Sequence, residues 1–141
     1  MMRVTGAGGI NANLAPDAFH RWATHYYKCK QDFQPPHRFS PVPYFLLCRA
    51  IELQLKSKHL QLKTQDQVKQ EYWHNLSKLY GSLSDNDKVL NASELNILEQ
   101  ASNIYAPKDF EYFTPEDALT AYSRYPDMQA LDAVARKLIG I

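Results

Sequence analysis

Apolar residues recur at helical spacing along most of the chain and predict a series of helices joined by short connections. The first apolar stripe lies within residues 16–33 and consists of Phe19, Trp22, Ala23, Tyr26 and Tyr27. The second lies within residues 43–62 and is apolar on more than one side at its start, so we expect this helix at the centre of the domain. Residues 34–41 separate the two helices, because Pro35 and Pro36 disfavour helical geometry in the residues before them.

Capping signals predict where two further helices begin and end. Thr64 and Gln67 form a capping-box pattern, which predicts a third helix that continues without interruption to Tyr80. A similar pattern at Asn91 predicts a fourth helix, which closes before Pro107.

The last third of the chain predicts one short extended segment and two more helices. Residues 108–113 alternate polar and aromatic positions, which is typical of an extended segment. Residues 114–122 begin with a threonine, a proline and two acidic residues, and they predict a short helix. A final helix follows Pro126 and stops at Gly140.

Five to six helices with short connections predict an all-α fold. An up-and-down helical bundle is the default arrangement, because helices joined by short loops usually pack antiparallel. Residues 1–14 are rich in Gly, Ala and Asn and predict a flexible N-terminal arm. Residues 15–141 then form a single helical domain, which the length of 141 residues allows.

The charges nearly balance, with a formal net charge of +1, so no global field favours nucleic acid or an anionic membrane. Their distribution is uneven. Residues 49–78 hold six basic and three acidic side chains, whereas residues 81–120 hold two basic and eight acidic side chains. This polarity could orient a partner, but we favour the simpler interpretation of two solvated faces.

The two cysteines, Cys29 and Cys48, have no CxxC spacing and no neighbouring pair of histidines. We therefore assign no metal and no cofactor. Two unpaired thiols without an export signal suggest a cytoplasmic protein. No stretch approaches the roughly 20 apolar residues of a membrane helix, so we expect no membrane contact.

Several segments resemble the HEPN (higher eukaryotes and prokaryotes nucleotide-binding) family. Residues 45–56, FLLCRAIELQLK, are similar to its "chAiELxLK" helix, and residues 72–80, YWHNLSKLY, are similar to its "yGHdLxkLy" segment. Residues 94–99 and 123–126 resemble later family elements in the same order. The resemblance implies a helical bundle that frequently forms a homodimer.

Many members of this family are RNases with an Arg and a following His that have four to six residues between them. Here Arg21 and His25 are separated by only three residues, and the family's usual Gly and Asp around the later His are Trp73 and Asn75. The signature of a metal-independent RNase is therefore absent as written. The resemblance then implies a non-catalytic module that dimerises and binds a nucleotide, RNA or a partner protein.

The candidate ligand-binding residues are Arg49, Glu52, Lys56, His74 and Asn75. His74 can bind a nucleotide or carry a proton, but we expect it to anchor the third helix by a hydrogen bond to the helix that contains Glu52. We also expect an ion pair between Glu52 and Lys56, which stand four residues apart. If their face lines a cleft, a phosphate fits between Arg49 and Lys56. We assign no catalytic residue.

Two alternatives stay open. The chain can be a divergent RNase or toxin-like enzyme of a toxin–antitoxin system, which would use Arg49, Lys56 and His74 across a dimer. It can also be a purely structural protein that works beside another polypeptide. A partner such as a nucleotidyltransferase would favour the toxin–antitoxin alternative. Aromatic residues beside bases can stack nucleobases, but helical spacing makes us expect most of them in the core. They are Trp22, Tyr26, Tyr27, Trp73 and Tyr80.

Overall fold

The computed structural model describes residues 3–5 and 11–141. This part of the chain contains seven α-helices: α1 (Ala15–Asp32), α2 (Val42–His59), α3 (Gln65–Tyr72), α4 (Leu76–Gly81), α5 (Ala92–Tyr105), α6 (Pro115–Leu119) and α7 (Met128–Ile139). They form a helical bundle, and the predicted all-α fold is confirmed. None of the described helices has the length and apolar character that a membrane span requires.

Two short strands precede the bundle. β1 (Arg3–Thr5) pairs antiparallel with β2 (Asn11–Asn13). The Asn13 side-chain amide donates a hydrogen bond to the Leu60 carbonyl oxygen, 3.0 Å away, just after α2. Much of the predicted flexible arm, residues 1–2 and 6–10, lies outside the described residues, so its flexibility stays a prediction.

Helix α2 is the centre of the bundle, as predicted. It contacts α1, α4, α5 and α7. Its fully buried apolar side chains face several directions, and they are Leu47, Cys48, Ala50, Ile51 and Leu55. A helix that is apolar on more than one side has to be covered on those sides, which explains its position.

Helices α1 and α2 pack antiparallel. Near the start of α1, the Ser57 hydroxyl donates a hydrogen bond to the Pro16 carbonyl oxygen at 2.6 Å. Further along α1, the Arg49 guanidinium carbon lies 5.8 Å from the centroid of the Tyr26 ring. As residue numbers increase along α1, the residues that they contact on α2 therefore have decreasing numbers. The short connection through the prolines permits this arrangement.

The predicted third helix is interrupted, so that prediction was wrong. Trp73 ends α3 with φ of +51° and ψ of −119°, a backbone conformation that suits glycine. The Asn75 side-chain oxygen then accepts a hydrogen bond from the Lys78 backbone N–H at 3.0 Å and caps α4. The Ser102 hydroxyl of α5 accepts another from the Leu76 N–H at 3.1 Å. These caps start a new helix and raise the helix count to seven.

Two further boundaries differ from the predictions. Residues 108–113 were expected to be extended, but Asp109–Glu111 forms a 3-10 turn. The helix predicted for 114–122 ends at Leu119, because Ala121 and Tyr122 have φ of +52° and +58° and cannot continue it. Six residues of alternating character were too short a signal to distinguish an extended segment from a turn.

Candidate functional site

The carboxylate of Glu52 is completely buried in the middle of α2 and accepts four hydrogen bonds. Oε1 accepts from Arg49 Nη1 at 2.9 Å and from the Tyr105 hydroxyl. Oε2 accepts from Lys56 Nζ at 2.7 Å and from His74 Nδ1 at 2.7 Å. This set of five side chains is called the Glu52 cluster below.

Three different parts of the fold supply the Glu52 cluster. Arg49 and Lys56 lie three residues before and four residues after Glu52, so all three share one face of α2. His74 comes from the junction of α3 and α4, and Tyr105 is the last residue of α5. The break at Trp73 therefore has a structural consequence, because it brings the next residue, His74, against the centre of α2.

The cluster keeps Glu52 ionised although its side chain has no solvent-accessible surface. Burial alone would raise the pKa of Glu52, but the Lys56 charge and the hydrogen bonds from Lys56, Tyr105 and His74 hold it below the ordinary glutamate value. Burial and the Glu52 carboxylate together raise the pKa of Tyr105, so its hydroxyl stays protonated and donates. A buried charge without such partners would be strongly destabilising.

The ionised carboxylate also determines which ring nitrogen of His74 carries a proton. Because Glu52 can only accept, Nδ1 of His74 must be the donor in their 2.7 Å hydrogen bond. Nε2 is then available to a ligand, and none of the described residues hydrogen-bonds it. The His74 side chain is 26% exposed, so solvent reaches part of the ring. With Nδ1 donating, Nε2 of the neutral ring is an acceptor, which can receive a hydrogen bond or a proton from a ligand.

An open cleft of about 610 Å³ lies beside the Glu52 cluster, and α1, α2, α3 and the residues after α3 line it. Its basic and imidazole side chains are His25, Arg49, Lys56, Lys69 and His74. Its aromatic side chains are Phe19, Trp22, Tyr26 and Trp73. The cleft therefore combines cationic groups with flat aromatic surface, which is the composition of many sites for nucleotides.

The net positive charge of this cleft is small. Arg49, Lys56 and Lys69 carry positive charges, whereas Glu52 and Asp66 carry negative charges. With neutral histidines the cleft thus has an excess of one positive charge. Lys69 is exposed, and its Nζ lies 5.9 Å from the centroid of a Trp73 ring. Such a balance matches one anionic group better than a highly charged ligand.

Arg49 and His74 also line a smaller cavity of about 130 Å³. Tyr105, Phe45 and Phe110 contribute to its walls. Arg49 and His74 are thus the two side chains that the large cleft and the small cavity have in common. A ligand in either space would reach the same two side chains.

Comparison of the chain with protein-family models, with curated proteins and with solved structures gave no match. In residues 3–5 and 11–141, no three His, Cys, Asp or Glu side chains are grouped so that they could hold a metal ion.

The structure brings four of the five candidate residues together. The expected hydrogen bond from His74 to the helix that contains Glu52 is present, with Glu52 as the acceptor, and so is the expected ion pair between Glu52 and Lys56. Glu52 itself has no exposed surface, so it acts on a ligand only through the side chains bonded to it. Asn75 lines neither cavity, and its side chain caps α4 instead.

Sequence reasoning missed Tyr105, Lys69 and the exposure of the tryptophans. Tyr105 is 53 residues from Glu52, and its place on an apolar stripe signalled only that it would be buried. Most of the five aromatic residues considered for base stacking were expected in the core. Tyr27 and Tyr80 are buried there, but Trp22 and Trp73 are 47% and 50% exposed at the cleft. Periodicity cannot show which part of an apolar stripe the fold leaves uncovered.

Proposed function

We propose that this chain is a non-catalytic helical module that binds a nucleotide or RNA in the cleft between α1, α2 and α3. The observation that carries the proposal is the convergence of Arg49, Lys56 and His74 on a cleft that also has aromatic walls. Arg49 and Lys56 each use only part of their donors on Glu52, since a guanidinium has five N–H groups and an ammonium has three. The other donors are available to a phosphate.

Two positions support the HEPN resemblance on physical grounds. The backbone of Trp73 has a conformation that suits glycine, and the family pattern has Gly at this place. Asn75 caps α4 through its side-chain oxygen, and Asp, the family's usual residue, is an equally good cap. We therefore retain the family as part of the proposal, together with its frequent homodimer and a cytoplasmic location.

The binding function is tested by thermal shift and calorimetry with mononucleotides and a short single-stranded RNA. Lys69→Gln removes an exposed cleft charge, whereas Lys88→Gln removes an exposed charge outside the cleft and is the matched control. One charge at about 4 Å in water contributes about 1 kcal/mol, so we expect Lys69→Gln to weaken binding about fivefold and Lys88→Gln to leave it unchanged. Absence of any response at ligand concentrations of about 1 mM would refute the proposal.

One observation favours a second candidate, a divergent RNase. The Glu52 carboxylate orients His74 so that Nε2 is available for proton transfer, and Arg49 lies beside it. Incubation of the protein with labelled RNA separates the two functions. Bound but intact RNA supports the non-catalytic module. Cleavage that His74→Gln abolishes, without loss of RNA binding, would establish the enzyme instead.

The dimer and a partner protein are separate parts of the proposal. Sedimentation of the purified chain tests the dimer, because a homodimer has twice the 16.3 kDa mass of one chain. Co-purification with another polypeptide, in the absence of any response to nucleotides or RNA, would favour the structural alternative, whereas a nucleotidyltransferase as that polypeptide would favour the toxin–antitoxin alternative.

A further inference from the structure

We propose that the ligand of the cleft is an unpaired nucleobase that carries a single phosphate, and that Trp22 and Trp73 bind the base by stacking. This inference rests on the proposed function and specifies its ligand. The same chemistry occurs in a free mononucleotide and in an unpaired nucleotide of an RNA strand.

The placement of the tryptophans is the first argument. The chain has two tryptophans, and both line this cleft. Trp22 belongs to α1 and Trp73 follows α3, so they approach the cleft from different elements. About half of each side chain is exposed, at 47% and 50%, although indoles are usually well covered in a folded domain. Exposed aromatic faces beside cations suit a stacked base.

The backbone at Trp73 is the second argument. At φ of +51° and ψ of −119° a glycine would be unstrained, yet the chain has its largest side chain there. The indole lies 4.9 Å from the His74 ring and 5.9 Å from Lys69 Nζ, measured from ring centroids. Half of it faces solvent, so core packing alone does not account for a tryptophan at a strained position. A stacking role accounts for it.

The charge balance limits the number of phosphates. Arg49 and Lys56 already share the Glu52 carboxylate, and Asp66, three residues before Lys69 on α3, offsets part of the Lys69 charge. One phosphate matches the remaining excess, whereas the further phosphates of a triphosphate would lack partners. A base within a duplex has both faces covered by its neighbours, so stacking requires an unpaired base.

Intrinsic fluorescence tests the inference directly, because both tryptophans lie in the cleft. The probes are AMP, ATP, ribose 5-phosphate, a short single-stranded RNA and the duplex of the same sequence. We expect AMP to quench the fluorescence and to bind about tenfold more tightly than ribose 5-phosphate, which has no base. We expect ATP to bind no more tightly than AMP and the duplex to bind more weakly than the single strand. If single-stranded RNA binds about tenfold more tightly than AMP, the ligand is an unpaired nucleotide of an RNA strand. If it does not, the ligand is a free mononucleotide.

Substitutions separate stacking from phosphate binding. Trp22→Leu should weaken the binding of AMP about fivefold or more, whereas Trp22→Phe retains an aromatic face and should change AMP binding little. Trp73→Gly should weaken the binding of AMP by a similar factor. Because glycine relaxes the backbone at this position, the loss of affinity cannot be attributed to added strain. Binding of ribose 5-phosphate, measured by calorimetry, should be unchanged in all three variants.

The outcomes distinguish this inference from the function on which it rests. If ribose 5-phosphate binds as tightly as AMP and the tryptophan variants change nothing, stacking is overturned while phosphate binding in the cleft survives. If ATP binds about tenfold more tightly than AMP, the limit of one phosphate is wrong. If none of the probes binds, the proposed function fails and this inference fails with it.

Discussion

Replacement of Glu52 by glutamine is the sharpest test of how the site is held together. The amide has nearly the same shape but no charge, and its NH₂ group presents donors where Lys56 and His74 also donate. Removal of one partner from a buried ion pair costs about 3–5 kcal/mol. The Arg49 side chain is about a third exposed and can regain hydrogen bonds to water, so we expect a cost at the lower end of this range, about 3 kcal/mol.

The expected result is a loss of thermal stability. For a chain of this length, 1 kcal/mol corresponds to about 3 °C in Tm, so Glu52→Gln should lower the Tm by about 10 °C at neutral pH. Circular dichroism during heating and urea titration measures it. Glu99→Gln, an exposed glutamate on α5, is the matched control and should leave the Tm nearly unchanged. A decrease for Glu52→Gln of less than about 3 °C would refute the argument that the buried carboxylate organises the cluster.

The pH dependence of this difference has a definite sign. The pKa of Glu52 is lowered in the folded chain, so the unfolded chain binds a proton more readily. The stabilisation is therefore complete above the ordinary glutamate pKa of 4.5 and is lost as the pH falls through the lowered folded value. The Tm difference between the wild type and Glu52→Gln should narrow below about pH 4.5. A difference that grows on acidification would contradict the ionised carboxylate.

Three further predictions concern the helix ends, and urea denaturation measures each. Trp73→Gly should be more stable than Trp73→Ala by about 1–3 kcal/mol, because only the alanine retains a Cβ at a positive φ. The control is Glu99, which lies inside a helix, where Glu99→Gly should be less stable than Glu99→Ala. Ser102→Ala removes the acceptor for the Leu76 N–H and should cost about 1–2 kcal/mol. Asn91→Ala removes the cap of α5 and should cost about 1 kcal/mol; no loss would contradict the capping box.

Local signals in the sequence determined most of the helix ends. The capping boxes at Thr64 and Asn91 are present, and Gly140 ends α7 at φ of +89°. These predictions succeeded because a cap depends on residues within four positions of each other. The uninterrupted third helix failed for a related reason. Asn75 is itself a cap, but its signal is weak unless Ser102 of a distant helix supports the new start.

The spacing of Arg49, Glu52 and Lys56 determined that they share a face of one helix, and the sequence also predicted a hydrogen bond from His74 to this helix. Only the tertiary structure decided that Glu52 is fully buried, that Tyr105 reaches it from another helix, and that two tryptophans stay uncovered at a cleft. The physical reason is that periodicity defines faces within a helix. Which face is covered, and by which side chain, depends on packing between segments that are distant in sequence.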